Sequence, residues 1–418
     1  MKLNDFINFD KAGFPESIKW NTIMKVPEFA ALEQCEQNPV WHKEGNALIH
    51  TKNVVSAMYQ LIREFDCRTY PDYRTYPETD LDFEMMVTSE DAKLLMAAAL
   101  FHDIGKAVTT EFKKGAWHAY GHEVESEKIT RSVLWDEDFD TREAVCALVA
   151  LHMEPLNLTR SNFRKLIMKM DKRLTDFYAH RQFYGININH LFLLKIADTM
   201  GSDMTDIERK DLDIRFLRKC FRLTSHSHIY RERLIDEALA ERDLKKAPYQ
   251  KKKTKYGVIM IGIPGAGKNH FLENQMDKFL AENVDPDIKV HVVVSRDDIR
   301  EELGMCKPGE KIIGTSKQED TVTKVYYQKV EESVKDADAV IFNDMNIKYV
   351  YRQNYHELLE SHKEYEWKWI YIYIEAPNLS TNINRREGQI PGSCFEKFTR
   401  TLDWPKPDEY DMLFISKQ

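Results

Sequence analysis

The chain has 418 residues, of which 43% are hydrophobic and 31% are charged, and its formal net charge is −8. This length is too great for one ordinary core and predicts two domains, while the negative charge argues against a broad surface for non-specific nucleic-acid binding, though not against a local basic channel. The longest apolar runs are too short for a membrane span and the N-terminus lacks the pattern of a signal peptide, so we expect a cytoplasmic protein without a membrane partner.

The first part of the chain, residues 1–245, carries the apolar periodicity of α-helices. Four stretches place apolar residues at helix spacing over helix-sized lengths: ALIHTKNVVSAMYQLI, DAKLLMAAALFHDI, TREAVCALVALHM and HLFLLKIADTM. The segment CRTYPDYRTYPETD, between the first two, is rich in Pro, Asp and Tyr and predicts a surface insertion. We therefore predict an all-α domain over residues 1–245.

Ionisable residues accompany these helices in a recurring way. Most lie on or beside apolar helices, where an unpartnered polar group would be costly. Imidazole and carboxylate groups converging from several helices would form a site for Mn, Fe, Co, Ni or Zn ions, whereas the alternative is a set of separate histidines, each satisfied locally. The candidate ligands are His50, His102, Asp103, His122, His152 and Asp198.

The order H…HD…H…H…D resembles the HD-domain metal phosphohydrolases. The segments WHKEGN, FHDIGK, YGHE and ADTMGSD are most similar to HD modules that act on nucleic-acid ends and 2′,3′-cyclic phosphates. The resemblance implies an HD fold in which the six ligands hold two metal ions bridged by Asp103, with Lys106 contacting the substrate phosphate. Two ions about 4 Å apart can hold a phosphate and activate a water. His42, His118 and the histidines of 226–228 do not fit the pattern and are expected at the surface or behind the ligands.

The sequence pattern changes after residue 245. Residues 246–256 belong to a basic, proline-containing segment that predicts a solvated linker, although its lysines could also contact a phosphate backbone. In residues 257–418, the short runs GVIMIG, KVHVVVS, DAVIFND and WIYIYIEA alternate with helical stretches. This alternation predicts an α/β domain with a parallel sheet.

A glycine-rich loop follows the first of these strands, in GVIMIGIPGAGKNHF (257–271). The spacing G-x-x-x-x-G-K is typical of a P-loop, whose backbone N–H groups surround phosphates, and an ordinary glycine turn would not explain the lysine. The next residue is Asn269 rather than the Ser or Thr that normally binds Mg²⁺, and its longer amide is less suited to octahedral geometry. With ATP or another nucleoside triphosphate and Mg²⁺ as cofactors, the predicted nucleotide-binding residues are Gly262, Gly265, Ala266, Gly267, Lys268, Asn269 and His270.

Charged residues follow the second predicted strand, in SRDDIR, at the sheet edge where such folds bind ligands. A carboxylate such as Asp297 can accept the proton of an attacking hydroxyl, and Arg300 can hold a phosphate of the acceptor, with Arg296 beside them. The alternative is a helix N-cap with a solvated first turn.

Two later segments add polar residues to the same domain. FNDMN, after the third strand, offers Asp344 and Asn346 to the acceptor, and RREGQIP contains Arg385 and Arg386. Adjacent arginines in a polar, glycine-containing segment suit a lid over the transferred phosphoryl group.

The motifs GIPGAGK, SRDDIR, FNDMN and RREGQIP, in this order, resemble the P-loop polynucleotide 5′-kinases of the phage and bacterial end-healing type, over about residues 256–418. The resemblance implies that Lys268 contacts the donor phosphates, Asp297 is the general base and Arg300 grips the acceptor's 3′ phosphate. Asp344 matches the aspartate after the third strand, and Arg385 or Arg386 the lid arginine. Asn269 is the departure, because the family has Ser or Thr there.

Joined in one chain, the two halves resemble bifunctional end-healing enzymes. The HD module would remove a 3′-phosphate or 2′,3′-cyclic phosphate and the kinase would add a 5′-phosphate, leaving ends that a nucleic-acid ligase requires. RNA is favoured as the substrate, but no residue separates it from DNA or fixes the oligomeric state. The alternatives are an HD nucleotidase fused to a nucleoside-type kinase, and a regulatory binding protein with a decayed kinase, against which the retained Asp297 and Arg300 argue.

Overall fold

The computed structural model describes residues 1–66, 87–158, 161–174, 185–225, 252–305, 316–387 and 389–417. The chain divides into two compact units, the first with residues 1–175 and 180–246 and the second with residues 176–179 and 247–418. The predicted two-domain layout is thereby confirmed. The body of the predicted insertion, most of the predicted linker and the histidines of 226–228 lie outside the described residues. None of the described helices is both long and apolar enough to cross a membrane.

The first unit is a bundle of helices with two short hairpins. Its helices are α1 (Trp20–Ile23), α2 (Pro27–Ala31), α3 (Ala47–Glu64), α4 (Ser89–Phe101), α5 (Lys106–Thr109), α6 (His122–Val133), α7 (Phe139–Leu151), α8 (Phe163–Leu174), α9 (Ile188–Gly201) and α10 (Ile207–Ser225). Its antiparallel hairpins pair β1 (Ile7–Phe9) with β2 (Pro15–Ile18) and β3 (Glu111–Lys113) with β4 (Ala116–His118). The helical fold predicted for this half is confirmed, and the hairpins are additions to it.

The core of this unit is built from helices that are buried on nearly every face. Helices α4, α7 and α9 are almost wholly buried, and α3 packs one face against α9 and α4. The side chain of Asn46 accepts a hydrogen bond from the N–H of Ile49 and so fixes the start of α3. A reciprocal capping box between Thr88 and Asp91 fixes the start of α4. These caps set the registers of two helices that carry candidate ligands.

A backbone contact at Gly105 joins the start of α5 to α6. The N–H of Gly105 donates to Ser126 Oγ at 2.8 Å. A Cβ at this glycine would lie 2.3 Å from the carbonyl oxygen of His122 and 2.4 Å from the backbone nitrogen of Ser126. Because both atoms belong to the backbone of α6, no side-chain rotation could relieve the clash. The absence of a side chain at Gly105 therefore sets how closely the FHDIGK segment approaches His122.

The second unit is a five-stranded parallel sheet with helices. Its strands are β5 (Lys253–Ile261), β6 (His291–Val294), β7 (Ala339–Phe342), β8 (Tyr365–Glu375) and β9 (Met412–Lys417), in the spatial order β6-β7-β5-β8-β9. Every pair in the sheet is parallel, which confirms the predicted α/β fold. Its α-helices are α11 (Lys268–Asn274), α12 (Met276–Phe279), α13 (Arg296–Glu302), α14 (Ser316–Asp336), α15 (Tyr349–Glu360), α16 (Leu379–Asn384) and α17 (Ser393–Arg400).

The central strand β5 begins earlier than the sequence predicts. Residues 253–256 pair with residues 365–368 of β8, which corrects the C-terminal end of the predicted linker 246–256. The basic residues fit a strand because each has a partner: Lys253 Nζ lies 3.0 Å from Asp338 Oδ1, and the Lys255 ammonium donates to the carbonyl oxygen of Lys335 at 3.1 Å. From Tyr256 to Ile261 the strand is buried throughout, and it ends at the P-loop.

We predict that Gly105→Ala destabilises the first unit by about 1–3 kcal/mol, because the added methyl must push α6 aside. Denaturant unfolding followed by circular dichroism measures the change. The control is Gly392→Ala, since Gly392 also has helical backbone angles but its added methyl would meet its nearest atom only at 3.7 Å. If both variants unfold with the wild-type midpoint, α5 and α6 have more room than the structure shows.

Candidate active sites

The six candidate ligands of the first unit lie together as two groups of three. One group contains His50, His102 and Asp198, the other contains Asp103, His122 and His152, and within each group the potential ligand atoms lie within 4.8 Å of one another. Asp103 faces both groups. Its Oδ2 lies 3.2 Å from His102 Nε2 and 3.5 Å from His50 Nε2, while its Oδ1 lies 3.2 Å from His122 Nε2 and 3.8 Å from His152 Nε2.

The orientation of the histidines is fixed by hydrogen bonds on the far side of each ring. In three of them Nδ1 lies close to the carbonyl oxygen three residues earlier: His102 with Ala99 (2.9 Å), His122 with Ala119 (2.8 Å) and His152 with Val149 (2.7 Å). In the fourth, His50 Nδ1 lies 2.9 Å from Glu44 Oε1. A carbonyl oxygen can only accept, so these three rings carry their proton on Nδ1 and present the lone pair of Nε2 to the site.

The inward-facing atoms fit a pair of cations. The Nε2 atoms of His50 and His102 are 3.4 Å apart, and those of His122 and His152 are 3.3 Å apart. Lone pairs facing each other at this distance repel, and the carboxylates of Asp103 and Asp198 add negative charge. A divalent ion within each group would satisfy all of these atoms at once, and nitrogen and oxygen ligands of this kind suit Mn, Fe, Co, Ni or Zn.

Electrostatics keep most of these groups in the protonation states that bind metals. Burial lowers the pKa of His122 and, with the neighbouring His122 and His102, holds the pKa of His152 well below its usual range. Burial opposes ionisation of Asp103, but His102 and Lys106 outweigh it and hold its pKa far below normal. At His50 burial is outweighed by Asp198 and Glu44, which raise its pKa. His50 thus differs from His122 and His152, whose pKa values are lowered.

Two residues of the cluster are not among the predicted ones. Lys195 Nζ lies 2.6 Å from Asp198 Oδ2, just as Lys106 Nζ lies 2.6 Å from Asp103 Oδ2. Glu44 Oε1 contacts Nδ1 of both His42 (2.8 Å) and His50, and the hydrogen bonds it accepts outweigh burial and lower its pKa. Lys195 could have been found from its position one helical turn before Asp198, and Glu44 from its place in WHKEGN.

The cluster opens into a cavity of about 590 Å³. Asp103, His122, His152 and Asp198 line it, together with the side chains of Lys106 and Lys195. His42, which the sequence places outside the ligand pattern, also lines the cavity and lies behind His50. The site is thus a buried set of ligands with an opening large enough for part of a substrate.

In the second unit, the P-loop has the backbone shape that its glycines allow. Gly265 and Gly267 have φ angles of 76° and 108°, in the left-handed region that side chains rarely adopt. Lys268 Nζ donates to the carbonyl oxygen of Gly262 at 2.7 Å. Burial, followed by the nearby charge of Arg386, lowers the pKa of Lys268 to about 8. His270, predicted to bind the nucleotide, is exposed in the first turn of α11.

Asn269 is paired with a second asparagine. Asn343 Nδ2 donates to Asn269 Oδ1 at 3.1 Å, from the position that directly follows β7. Asn343 is buried, and within the described chain no hydrogen-bond donor reaches its Oδ1. Asp344, the next residue, accepts from the backbone N–H of Arg296 at 3.1 Å, and burial raises its pKa. The oxygen atoms beside the P-loop that could reach a Mg²⁺ ion are therefore the amide oxygen of Asn343 and Oδ2 of Asp344, neither of which accepts a hydrogen bond within the described chain.

The two residues predicted as general base and acceptor clamp contact each other. Arg300 Nη1 donates to Asp297 Oδ1 at 2.7 Å, and the rest of its guanidinium forms a two-bond pair with Glu319 of α14, at 3.0 and 2.8 Å. The Asp297 side chain is 62% exposed and so remains open to an acceptor. Glu319 is a member of this site that the sequence does not predict. Arg296 is turned elsewhere, donating to Thr323 Oγ1 at 2.9 Å.

Contrary to the prediction from the sequence, Asn346 does not face an acceptor site but is directed into the protein. Its amide nitrogen donates to the carbonyl oxygens of Met260 (2.9 Å) and Phe342 (3.0 Å), and its amide oxygen accepts from Tyr355 at 3.2 Å. The residue is buried, with a φ of 49°. Because its polar atoms are used inside the protein, Asn346 holds the ends of β5 and β7 together and does not face an acceptor.

The predicted lid lies against the P-loop. Arg385 Nη1 donates to the carbonyl oxygen of Gly265 at 3.1 Å, and Asn382 Nδ2 donates to that of Pro264 at 3.0 Å. Arg386 donates to Gln389 at 2.8 Å and is close enough to Lys268 to affect its pKa. The structure therefore brings the lid arginines and the donor site together.

Comparison with known proteins identifies the first unit. Residues 48–199, which include all six candidate ligands, match the family model of the HD domain, and the HD fold predicted from the sequence is confirmed. No curated protein matches the chain. One similar solved structure is Kti12 of Chaetomium thermophilum in complex with ADP-AlF3, at 14% identity and a TM-score of 0.29, over 38% of this chain and 88% of that chain. Another is a fungal RNA kinase, at 14% identity and a TM-score of 0.26, over 40% of this chain and 75% of that chain.

We predict that Glu44→Ala weakens metal binding roughly 10- to 100-fold, because His50 loses the acceptor that orients its ring. Chelator competition and metal content after dialysis measure the effect. Glu33→Ala is the matched control, since Glu33 is exposed in the preceding turn, Leu32–Gln34. Equal metal content in Glu44→Ala, Glu33→Ala and wild type would show that Glu44 does not support the site.

We predict that Asn269→Ser raises kinase turnover in Mg²⁺ roughly tenfold, or about 1.4 kcal/mol in the barrier, with little change in triphosphate affinity. A serine hydroxyl could donate to the unpaired Oδ1 of Asn343 while offering its lone pair to the ion. The wild type should also turn over faster in Mn²⁺ than in Mg²⁺, because Mg²⁺ demands short, near-octahedral contacts. Turnover of both proteins in each metal provides the test, and no gain in Mg²⁺ would mean that Asn269 already replaces the hydroxyl.

Proposed function

We propose that this protein is a bifunctional nucleic-acid end-healing enzyme, with RNA as the favoured substrate. The HD unit removes a 3′-phosphate or opens a 2′,3′-cyclic phosphate, and the P-loop unit transfers the γ-phosphate of ATP or another nucleoside triphosphate to a 5′-hydroxyl. The products carry the 5′-phosphate and 3′-hydroxyl ends that a nucleic-acid ligase joins. A ligase is accordingly the proposed functional partner.

The main support for the hydrolase is the position of Asp103 between two groups of ligands. Two divalent ions held there would supply Lewis-acid activation of a phosphate ester and of a water molecule. Lys106 and Lys195 place positive charge beside the carboxylates of Asp103 and Asp198 and at the wall of the cavity. Hydrolysis of a 3′-phosphate breaks the P–O bond to the ribose, adds the water oxygen to phosphorus and leaves a proton on the ribose oxygen.

The kinase reaction is supported by the meeting of three segments at the carboxyl edge of the sheet. The P-loop with Lys268 is suited to hold the donor phosphates, and Arg385 and Arg386 lie beside it. Asp297, exposed at the start of α13, is suited to take the proton of the attacking hydroxyl. Arg300 holds Asp297 in position, and to grip a phosphate of the acceptor it would exchange its two hydrogen bonds to Glu319 for bonds to that phosphate.

A second candidate function is metabolism of small nucleotides, because each unit also suits substrates smaller than a nucleic-acid strand. An HD nucleotidase fused to a nucleoside-type kinase would use the same metal cluster and the same P-loop. The two functions differ in the acceptor, since only a polynucleotide kinase prefers a 5′-hydroxyl oligonucleotide over a free nucleoside. They also differ in the hydrolase substrate, which is a nucleic-acid end in one case and a nucleotide in the other.

We predict that the two activities can be removed separately. Asp103→Ala should abolish release of phosphate from a 3′-phosphorylated oligonucleotide and leave 5′-phosphorylation near the wild-type rate, while Lys268→Ala should do the reverse. Asp297→Asn should lose kinase activity by about 10²- to 10⁴-fold with triphosphate binding retained. Radiolabel transfer to a 5′-hydroxyl oligonucleotide and phosphate release from its 3′ end measure the two activities.

The same assays include the outcomes that contradict the proposal. Faster phosphorylation of nucleosides than of oligonucleotides would favour the nucleotide-metabolism alternative. Wild-type hydrolysis of 3′-phosphates by a folded Asp103→Ala protein would show that the metal cluster is not the hydrolase site. Chelator treatment provides a further control, because it should stop hydrolysis in the wild type.

A further inference from the structure

Several aromatic side chains line the HD cavity. The hairpin of β3 and β4 leads into residues 119–121, and Trp117, His118 and Tyr120 line the same cavity as the metal-ligand cluster. The rings of His118 and Tyr120 are stacked, with centroids 4.9 Å apart and planes inclined by 12°. Tyr120 is 72% exposed, so its outer face is open to a ligand.

A fourth aromatic residue reaches the cavity from another segment. Trp41, in the loop that precedes α3, also lines the cavity and is 48% exposed. Single exposed apolar residues are normally scattered over a protein surface, so four aromatic residues that line one cavity point to a bound ligand. We call Trp41, Trp117, His118 and Tyr120 the aromatic rim.

The backbone ties the aromatic rim to a metal ligand. The carbonyl oxygen of Ala119 accepts the hydrogen bond that orients His122, and Gly121, with a φ of 73°, turns the chain between Tyr120 and His122. Consecutive Cα atoms are about 3.8 Å apart, so the Cα atoms of Tyr120 and His122 lie within about 7.6 Å. A group attached to a phosphate at the metal-ligand cluster would therefore extend into the cavity that the aromatic rim also lines.

The charges around the cavity indicate what kind of chemical group is attached to the phosphate. Among the described residues that line it there is no arginine, and its two lysines are paired with Asp103 and Asp198. Glu36 and Asp213 add negative charge to the lining. The cavity thus has no row of basic side chains that would bind further phosphates of the substrate. Affinity for the part of the substrate beyond the terminal phosphate then has to come from contacts with uncharged side chains. A nucleobase has a flat, uncharged face and stacks on aromatic side chains whatever its identity.

We propose that the aromatic rim stacks against the base of a terminal nucleotide when the phosphate of that nucleotide lies at the metal-ligand cluster. This inference rests on the proposed hydrolase function and narrows its substrate to a phosphate carried by a nucleotide. Stacking would hold the base without discriminating among the four bases, because every base has a π-face and stacking requires no specific hydrogen bonds. The HD unit would then act on the ends of strands of any sequence.

The test compares three substrates that differ only in what the phosphate is attached to. They are an oligonucleotide with phosphates at both ends, the same oligonucleotide with an abasic 3′-terminal residue, and glycerol phosphate. The wild type should show a KM roughly tenfold lower for the first than for the second. Tyr120→Ala should raise the KM for the first substrate roughly tenfold, to that of the abasic one, without changing kcat or glycerol phosphate hydrolysis. Tyr120→Phe, which keeps the ring, should behave as the wild type.

Ile207→Ala is the matched control. Ile207 lies in the same unit, at the start of α10, and is 68% exposed, but it is not among the described residues that line the cavity. This variant should leave all three KM values unchanged. Equal wild-type KM values for the first two substrates would overturn the proposal. So would a Tyr120→Ala variant that keeps the wild-type KM for the first substrate, because removal of the ring would then leave binding of the base unchanged.

A binding measurement separates this proposal from the proposed function. A dinucleotide with a 5′-phosphate and a non-hydrolysable 3′-phosphonate should quench the fluorescence of Trp41 and Trp117, and Tyr120→Ala should weaken its binding roughly tenfold. Quenching without hydrolysis of nucleic-acid ends would support the aromatic rim while contradicting the end-healing function. Hydrolysis of nucleic-acid ends without quenching, and at the same KM with and without the terminal base, would support the end-healing function and contradict base stacking by the aromatic rim.

Discussion

A cluster of imidazole and carboxylate groups inside an apolar helical core requires positive charge at its centre. Removing such groups from water without partners costs several kcal/mol each, so the first unit has to supply cations or bind them. Lys106 and Lys195 provide part of this charge through their contacts with Asp103 and Asp198. The Nε2 lone pairs of His102, His122 and His152 are not relieved by the lysines, and they suit the cluster to metal ions.

The helices meet this requirement mainly at their ends. His102 directly follows α4, His152 directly follows α7, and His122 begins α6. Carbonyl groups in the last turn of a helix have no partner within the helix, and the histidines after α4 and α7 use them to anchor Nδ1. The same local contact, to the third residue back, recurs at His122. A short-range backbone geometry thus aims three ligands, and the long-range packing of helices only has to bring their ends together.

Much of this arrangement could be predicted from the sequence, since the signals are local and repeated. The apolar periods of the long helices, the FHDIGK segment and the P-loop spacing each identify an element or a residue type without knowledge of the fold. The strands of the two hairpins have only three or four residues, too few to establish alternation, and β9 is a six-residue run after a proline-rich segment. Those elements are fixed by tertiary packing and were not predictable in the same way.

The partners of the predicted residues were harder to foresee than the residues themselves. Glu319 reaches Arg300 across 19 positions of sequence, and Asn343 reaches Asn269 across 74. Asn346 shows the reverse case, because its place after a strand suggests a ligand contact while its buried amide is used to join two strands. Residue type and strand position identify a candidate, but only packing decides whether its polar atoms face inward or outward.

The contact between Asn382 and the carbonyl oxygen of Pro264 fixes the orientation of one peptide group of the P-loop. In a trans peptide the C=O and the following N–H point in opposite directions, so anchoring that carbonyl turns the N–H of Gly265 the other way. The polarity of this peptide is therefore set before any anion arrives, and the entropy of orienting it is lost during folding instead of during binding. Since Asn382 belongs to α16, a shift of that helix would rotate the peptide, and in the proposed kinase this would couple release of the spent nucleotide to movement of α16.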